Sequence, residues 1–183
     1  MPVRLRAVHG DIVDLEVDAI VNAANSALCG GGGVDGAIHD AAGPELLKAC
    51  RKLGRCDFGD AKITPGFRLK AAFVIHAVGP VWRGSDHREA ELLASCYRRS
   101  LELAVENSVK SIAFPSISTG AFRFPIEQAS RIAVATVREF TKTPSSLTDV
   151  VFCCFEPRDF ALYRKLLDNP SEFSNRKGAK TQS

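Results

Sequence analysis

The sequence is short of the features that would place a protein outside the cell, in a membrane or around a metal. Its six cysteines (Cys29, Cys50, Cys56, Cys96, Cys153 and Cys154) form no CxxC pair and no metal-type grouping with histidine. Reduced, buried thiols are therefore expected rather than a zinc site or a disulfide framework. No apolar core follows Met1-Pro2-Val3-Arg4-Leu5-Arg6, and no uninterrupted apolar run is long enough to span a bilayer. A cytoplasmic location without a membrane partner is the expectation. Basic runs with interleaved aromatics are missing too. The net charge is only +3, part of it from Arg176, Lys177 and Lys180 near the C-terminus. So small a surplus suits an anionic small ligand and argues against a nucleic-acid binder. Neither a cofactor nor a metal is expected, and the chain is expected to act as a monomer.

What is present fits one globular domain. The chain has 183 residues, 45% of them hydrophobic and 25% charged, enough for a substantial core. The domain is expected over residues 1–168. After Asp168-Asn169-Pro170-Ser171 the remainder to Ser183 is polar, and 169–183 reads as a disordered polar and basic tail. Short β-branched or apolar runs alternate with longer helical patterns, which predicts an α/β class with crossover helices. Strands are predicted at Leu5–His9, Ala19–Asn22, Ala61–Thr64, Phe73–Val78, Ser111–Pro115 and Val150–Phe155, and their apolar content places them inside the sheet. Helices are predicted after Val34, Pro44, Asp86, Pro125 and Pro157. Pro44 and Pro125 suit a first helical turn, and Gly54 suits a helix stop. From Ile126 to Phe140, the residues Ile126, Ala129, Ile132, Ala133, Val137 and Phe140 recur at helical spacing, so one face of that helix packs on the sheet.

Ligands of α/β sheets collect outside the carboxyl ends of strands, so the loops that follow strands carry the information. One is His9-Gly10-Asp11-Ile12, a turn presenting a carboxylate. A second runs from Val21 through Asn22-Ala23-Ala24-Asn25 to Gly30-Gly31-Gly32-Gly33, then into a helix bearing Asp35 and His39 one turn apart. Consecutive glycines are entropically expensive, and a glycine loop feeding a helix start offers unpaired N–H groups to an anion. A phosphate-bearing ligand follows. The third loop, Pro115-Ser116-Ile117-Ser118-Thr119-Gly120-Ala121-Phe122-Arg123-Phe124-Pro125, is rich in hydroxyls and small residues and again precedes a helix. A diphosphate could lie between the second and third loops.

These three segments, with Ala41-Ala42-Gly43-Pro44, resemble the macrodomains, and within them the MacroD-type branch; the resemblance extends from about Val3 to Leu167. It implies a three-layer α/β/α sandwich with a mixed sheet of about six strands. It also implies binding of ADP-ribose and hydrolysis of ADP-ribose esters, both on acidic side chains of proteins and as O-acetyl-ADP-ribose. By position, Asp11 would accept from the adenine amino group and the Ile12 backbone would orient the ring. Gly31, Gly32, Gly33 and Val34 on one side, and Ser118, Thr119, Gly120, Ala121 and Phe122 on the other, would grip the diphosphate. Asn25 corresponds to the distal-ribose contact and Asn22 to a brace of the loop. Phe122 matches an aromatic that covers the distal ribose, and Phe155 is placed to stack on adenine. For Asp11 the competing reading is a turn residue capping its own backbone, and for Phe155 it is core packing. The chain departs from the family at Arg123, where glycine is usual.

An ester of the anomeric carbon departs as a stable carboxylate, so no strong general acid is needed. Accordingly, the sequence offers no obvious glycosidase-like pair of facing carboxylates. What remains is a positioned water, assigned to Asp35, with His39 on the same helical face to orient it or to hold the distal ribose. The bland readings are a helix-start carboxylate favoured by the dipole and a packed histidine with one hydrogen bond. His76, inside an apolar strand, reads as structural. Gly31-Gly32-Gly33-Val34-Asp35-Gly36 also satisfies GxGxxG, with Asp57 downstream. However, Ala23 to Gly30 separate the strand from the first glycine, so the dinucleotide-fold geometry is not met. A non-catalytic ADP-ribose reader using the same pocket is the competing function.

Overall fold

Side chains alternate across each strand, and that alternation decides which helices cover which face. The computed structural model describes residues 2–84 and 87–169. Six strands, β1 (Arg4–His9), β2 (Ala19–Ala23), β3 (Ala61–Pro65), β4 (Phe73–Ala77), β5 (Ser111–Phe114) and β6 (Asp149–Cys154), form one sheet in the order β1-β6-β5-β2-β4-β3. All neighbouring pairs are parallel except β3 with β4, so the sheet is mixed with an antiparallel edge.

The helices are α1 (Gly33–Ala42), α2 (Pro44–Leu53), α3 (Glu89–Glu106), α4 (Ile126–Thr141) and α5 (Pro157–Asp168). Val21, Ile75, Phe114 and Phe152 pack with Leu93, Tyr97 and Leu101 of α3, Ala133 and Val137 of α4, and Tyr163 of α5. The alternate residues Ile20, Val74, Ala113 and Val151 face the other way and pack with Ile38 of α1 and Leu46 and Cys50 of α2. Two apolar layers on opposite faces make the three-layer α/β/α sandwich. The α4 stripe is in that core as its period requires, with Ala129, Ala133 and Val137 buried.

Each predicted strand ends within one residue of its observed limits. Pro44 occupies the first turn of α2, and Gly54 closes it at φ 77°, a conformation that a side chain would oppose. Gly43 joins α1 to α2 at φ 89°. Two details differ from the sequence reading. The turn after β1 is a short 3-10 helix, Ile12–Asp14, capped by Asp11. The third helix starts at Glu89, three positions beyond Asp86, and Ser85 and Asp86 fall outside the described residues. Most of the predicted tail, 170–183, also lies outside them. Among the described residues no helix is long and apolar enough to cross a membrane.

Candidate functional site

Because β1, β6, β5 and β2 are parallel neighbours, their carboxyl ends open on one edge of the sheet. The loops singled out by sequence all leave from that edge. At the β1 end, the Gly10 N–H donates to the Cys154 carbonyl at 3.0 Å, tying the β1 and β6 exits together. Asp11 Oδ1 accepts from the Val13 N–H at 3.1 Å, the self-capping arrangement, while none of the described residues donates to Oδ2. Ile12 is buried. Next door, Phe155 follows β6 and is 74% exposed, a bare aromatic plate rather than a core side chain.

At the β2 end the chain folds into a braced glycine loop. Asn25 Nδ2 donates to the Gly30 carbonyl at 2.9 Å, and its Oδ1 accepts from the Cys29 N–H at 3.3 Å. Gly31, Gly32 and Gly33 are exposed and Val34 is half-buried. Gly32 caps α1 without any side-chain hydrogen bond. The amides of Gly31 to Asp35 consequently meet no acceptor among the described residues. The β5 loop mirrors this. Ser118 (φ 67°) and Arg123 (φ 61°) both sit in the left-handed region, and the loop between them is closed by Arg123 N–H to Gly120 O at 2.9 Å and Phe124 N–H to Ser118 O at 2.8 Å. Left-handed backbone at Arg123 is a conformation that glycine adopts at no steric cost and that a side chain opposes. The amides of Thr119 to Phe122 are likewise without an acceptor among the described residues. Ser118 is buried against Gly79, where a Cβ would come within 2.1 Å of its hydroxyl oxygen. The Trp82 N–H donates to the Phe122 carbonyl at 2.8 Å and anchors the far side of the loop, leaving Phe122 half-buried.

Between these loops lies Asp35. It is 6% exposed, and both partners on its carboxylate converge on one oxygen: Asn22 Nδ2 donates to Oδ1 at 2.9 Å, and His39 Nε2 stands 3.3 Å from the same atom. Oδ2 receives no donor among the described residues and lies beside Gly31, whose hypothetical Cβ would be 3.2 Å away. Asn22 is fully buried behind Asp35, so its side chain reaches no cleft surface. Asp11, Asn25, Asp35, His39, Phe122, Phe155 and the glycine amides thus border one edge, whereas Asn22 and Ile12 lie beneath it.

The sequence reading did not join three buried groups to this cluster. His76 Nδ1 is 3.2 Å from Asn22 Nδ2, its Nε2 is 3.0 Å from Thr64 Oγ1, and the Cys50 thiol is 3.6 Å from Nε2. Burial, and then the charge of His39, pull the His76 imidazole down to about 4. Burial, and then Asp35, push the Cys50 thiol up to about 11. A polar residue at the second position after Val74 was the available signal, because it shares the face of Asn22 on the adjoining strand. Among the described residues no cluster of three or more histidine, cysteine or acidic side chains could hold a metal.

A family model described as Macro domain matches residues 21–133. A Macro domain-containing protein of Chlorobaculum tepidum is 61% identical over 165 residues, spanning 90% of this chain and 96% of that protein. A Salmonella newport protein named O-acetyl-ADP-ribose deacetylase is 53% identical over 171 residues, spanning 91% and 96%. The solved structure of an Oceanobacillus iheyensis macrodomain variant with ADP-ribose superposes at a TM-score of 0.86 with 43% identity, covering 92% of this chain and 94% of that one.

Proposed function

The chain belongs to the Macro domain family, and on that footing we propose that it binds ADP-ribose across the loop edge and hydrolyses ADP-ribose esters there. Two facing sets of unclaimed amides carry the binding half of this reading: Gly31 to Asp35 after β2 and Thr119 to Phe122 after β5, on adjacent parallel strands. Paired N–H groups with a helix start behind one of them suit the negative charge of a diphosphate. In this reading the rest of the nucleotide follows the strand order β1-β6-β5-β2. Adenine lies at the β1 and β6 exits, stacked on Phe155 and donating its amino group to the open Oδ2 of Asp11. The distal ribose falls at the β2 exit, next to Asn25 and under Phe122.

For hydrolysis the working group is Asp35 Oδ2. With Oδ1 held by Asn22 and His39, Oδ2 is the oxygen left to accept a proton from a water beside the distal ribose. General-base assistance of this kind is worth roughly two to four orders of magnitude in rate. Where the acyl oxygen is on the anomeric carbon, the water attacks that carbon, its bond to the carboxylate oxygen breaks, and the carboxylate, acetate in an O-acetyl ester, leaves without a proton donor. Incubation with a glutamate-linked mono-ADP-ribosylated protein, with Asp35→Ala in parallel, tests the proposal. Release by the parent chain and its loss in the variant are expected. Binding of ADP-ribose without release by the parent chain would make the protein a reader.

A further inference from the structure

The string of polar groups behind Asp35 runs through the sheet rather than along a loop. Asn22, His76 and Thr64 lie on the adjacent strands β2, β4 and β3, and all three are at most 4% exposed. Asn22 and His76 are direct register partners. Two N–H groups this deeply buried cannot be set against each other, so the bonding pattern around His76 can be worked through.

The starting constraint is the Asp35 carboxylate, which accepts only, so the Asn22 atom 2.9 Å from it must be the amide nitrogen. That nitrogen has a second N–H, and His76 Nδ1 lies 3.2 Å from it. Nδ1 must therefore carry the lone pair, and the imidazole proton resides on Nε2, directed at Thr64 Oγ1 3.0 Å away. This tautomer follows from the network. The opposite one would set two N–H groups against each other. Asn22 Oδ1 has no partner among the described residues, so nothing on that side of the amide competes with this orientation.

We infer that His76 and Thr64 are positioning residues, which act through the Asn22 amide to fix the Asp35 carboxylate with Oδ2 turned to the pocket. The inference rests on the hydrolase reading above and adds to it the part of the sheet that holds the base in place. Its chemical logic is that a carboxylate whose Oδ1 is hydrogen-bonded to the Asn22 amide and flanked by the His39 ring cannot rotate freely, so the remaining lone pairs stay aimed at the water site. Cys50, at 3.6 Å from Nε2, sits close enough to share the imidazole proton but is the weaker acceptor.

Three replacements separate positioning from mere packing. His76→Phe keeps a ring and removes the acceptor. His76→Asn keeps an acceptor oxygen near the place of Nδ1. Thr64→Val keeps the shape of Thr64 and removes the acceptor for Nε2–H. His76→Phe is expected to lower kcat by roughly tenfold to a hundredfold, with the Kd for ADP-ribose unchanged within about twofold. Thr64→Val shows the same split more weakly, and His76→Asn recovers most of the kcat. Equal loss of kcat and affinity, or no recovery in the asparagine variant, overturns the inference. A second reading needs no turnover: nitrogen-15 NMR of the wild-type histidines should show one neutral ring with its proton on Nε2. An Nδ1–H tautomer for His76 overturns the relay outright. Should the parent chain bind ADP-ribose and release nothing, the hydrolase reading fails, and the spectrum alone still decides the relay.

Discussion

A missing side chain matters at Gly31 as much as a present one does at Asp35. Gly31 is not among the residues with positive φ, so its backbone is open to any amino acid, and strain does not explain the glycine. Space does: a Cβ there would stand 3.2 Å from Asp35 Oδ2 and 3.9 Å from Asn25 Nδ2, in the gap where the proposed hydrolysis places its water. Gly31→Ala is therefore expected to cut turnover of an ADP-ribose ester by roughly tenfold to a hundredfold, while the unfolding free energy in urea shifts by less than about 1 kcal/mol. Unchanged turnover would show that Oδ2 is not the working oxygen. Arg123 presents the reverse case. Its φ of 61° is tolerated because Arg123 N–H to Gly120 O and Trp82 N–H to Phe122 O fix the turn from both sides. Holding a non-glycine residue left-handed costs about 1–2 kcal/mol, so loop order there depends on those two bonds.

At the scale of elements, the start of α1 and the glycine loop are one unit. Gly36 lies in the first turns of α1, and a Cβ on it would be 2.7 Å from the Gly31 carbonyl oxygen, closer than real contacts allow. Alanine favours the helix over glycine by about 1 kcal/mol, so Gly36→Ala leaves α1 formed and displaces the loop instead. Calorimetric titration should then show ADP-ribose affinity reduced by about tenfold or more, with helix content by circular dichroism unchanged; wild-type affinity would mean the loop amides do not grip the ligand. Why some of this was legible in the sequence and some was not comes down to range. Strands such as Phe73–Ala77 declare themselves by apolar runs and the α4 stripe by its helical period, and Pro44 and Gly54 punctuate α2 by local backbone chemistry. The paired Asn22 and Asn25, the glycines, Asp35 and His39 stand out because they fall within one loop and the helix it enters. By contrast, His76 and Thr64 are 54 and 12 positions away from their partners in the chain. Their link to Asp35 appears only once β2, β4 and β3 are set side by side. Likewise the short 3-10 helix after β1 is too brief to carry a period.

For the whole molecule, the buried imidazole ties folding to acidity. His76 titrates at about 4 in the folded chain, pulled down by burial first and by His39 second, against 6.5 for an unperturbed histidine. Between those two values the unfolded chain binds a proton that the native chain excludes. Stability from this group is thus fully present above 6.5 and is lost as pH falls from 6.5 toward 4. The titratable groups that face His76 are His39 on α1 and Cys50 on α2, with Asp35 beyond the Asn22 amide, and the Cys50 thiol, pushed up to about 11, stays neutral across this window. Near pH 4.5 the loss due to His76 should reach about 2–3 kcal/mol relative to neutral pH. Urea unfolding of the wild type and of His76→Asn at both acidities isolates it. The wild type is expected to lose that much more stability on acidification than the variant does. Parallel losses in the two proteins would mean that His76 takes up its proton over the same range in the folded and the unfolded chain, and that burial does not hold the ring neutral on acidification.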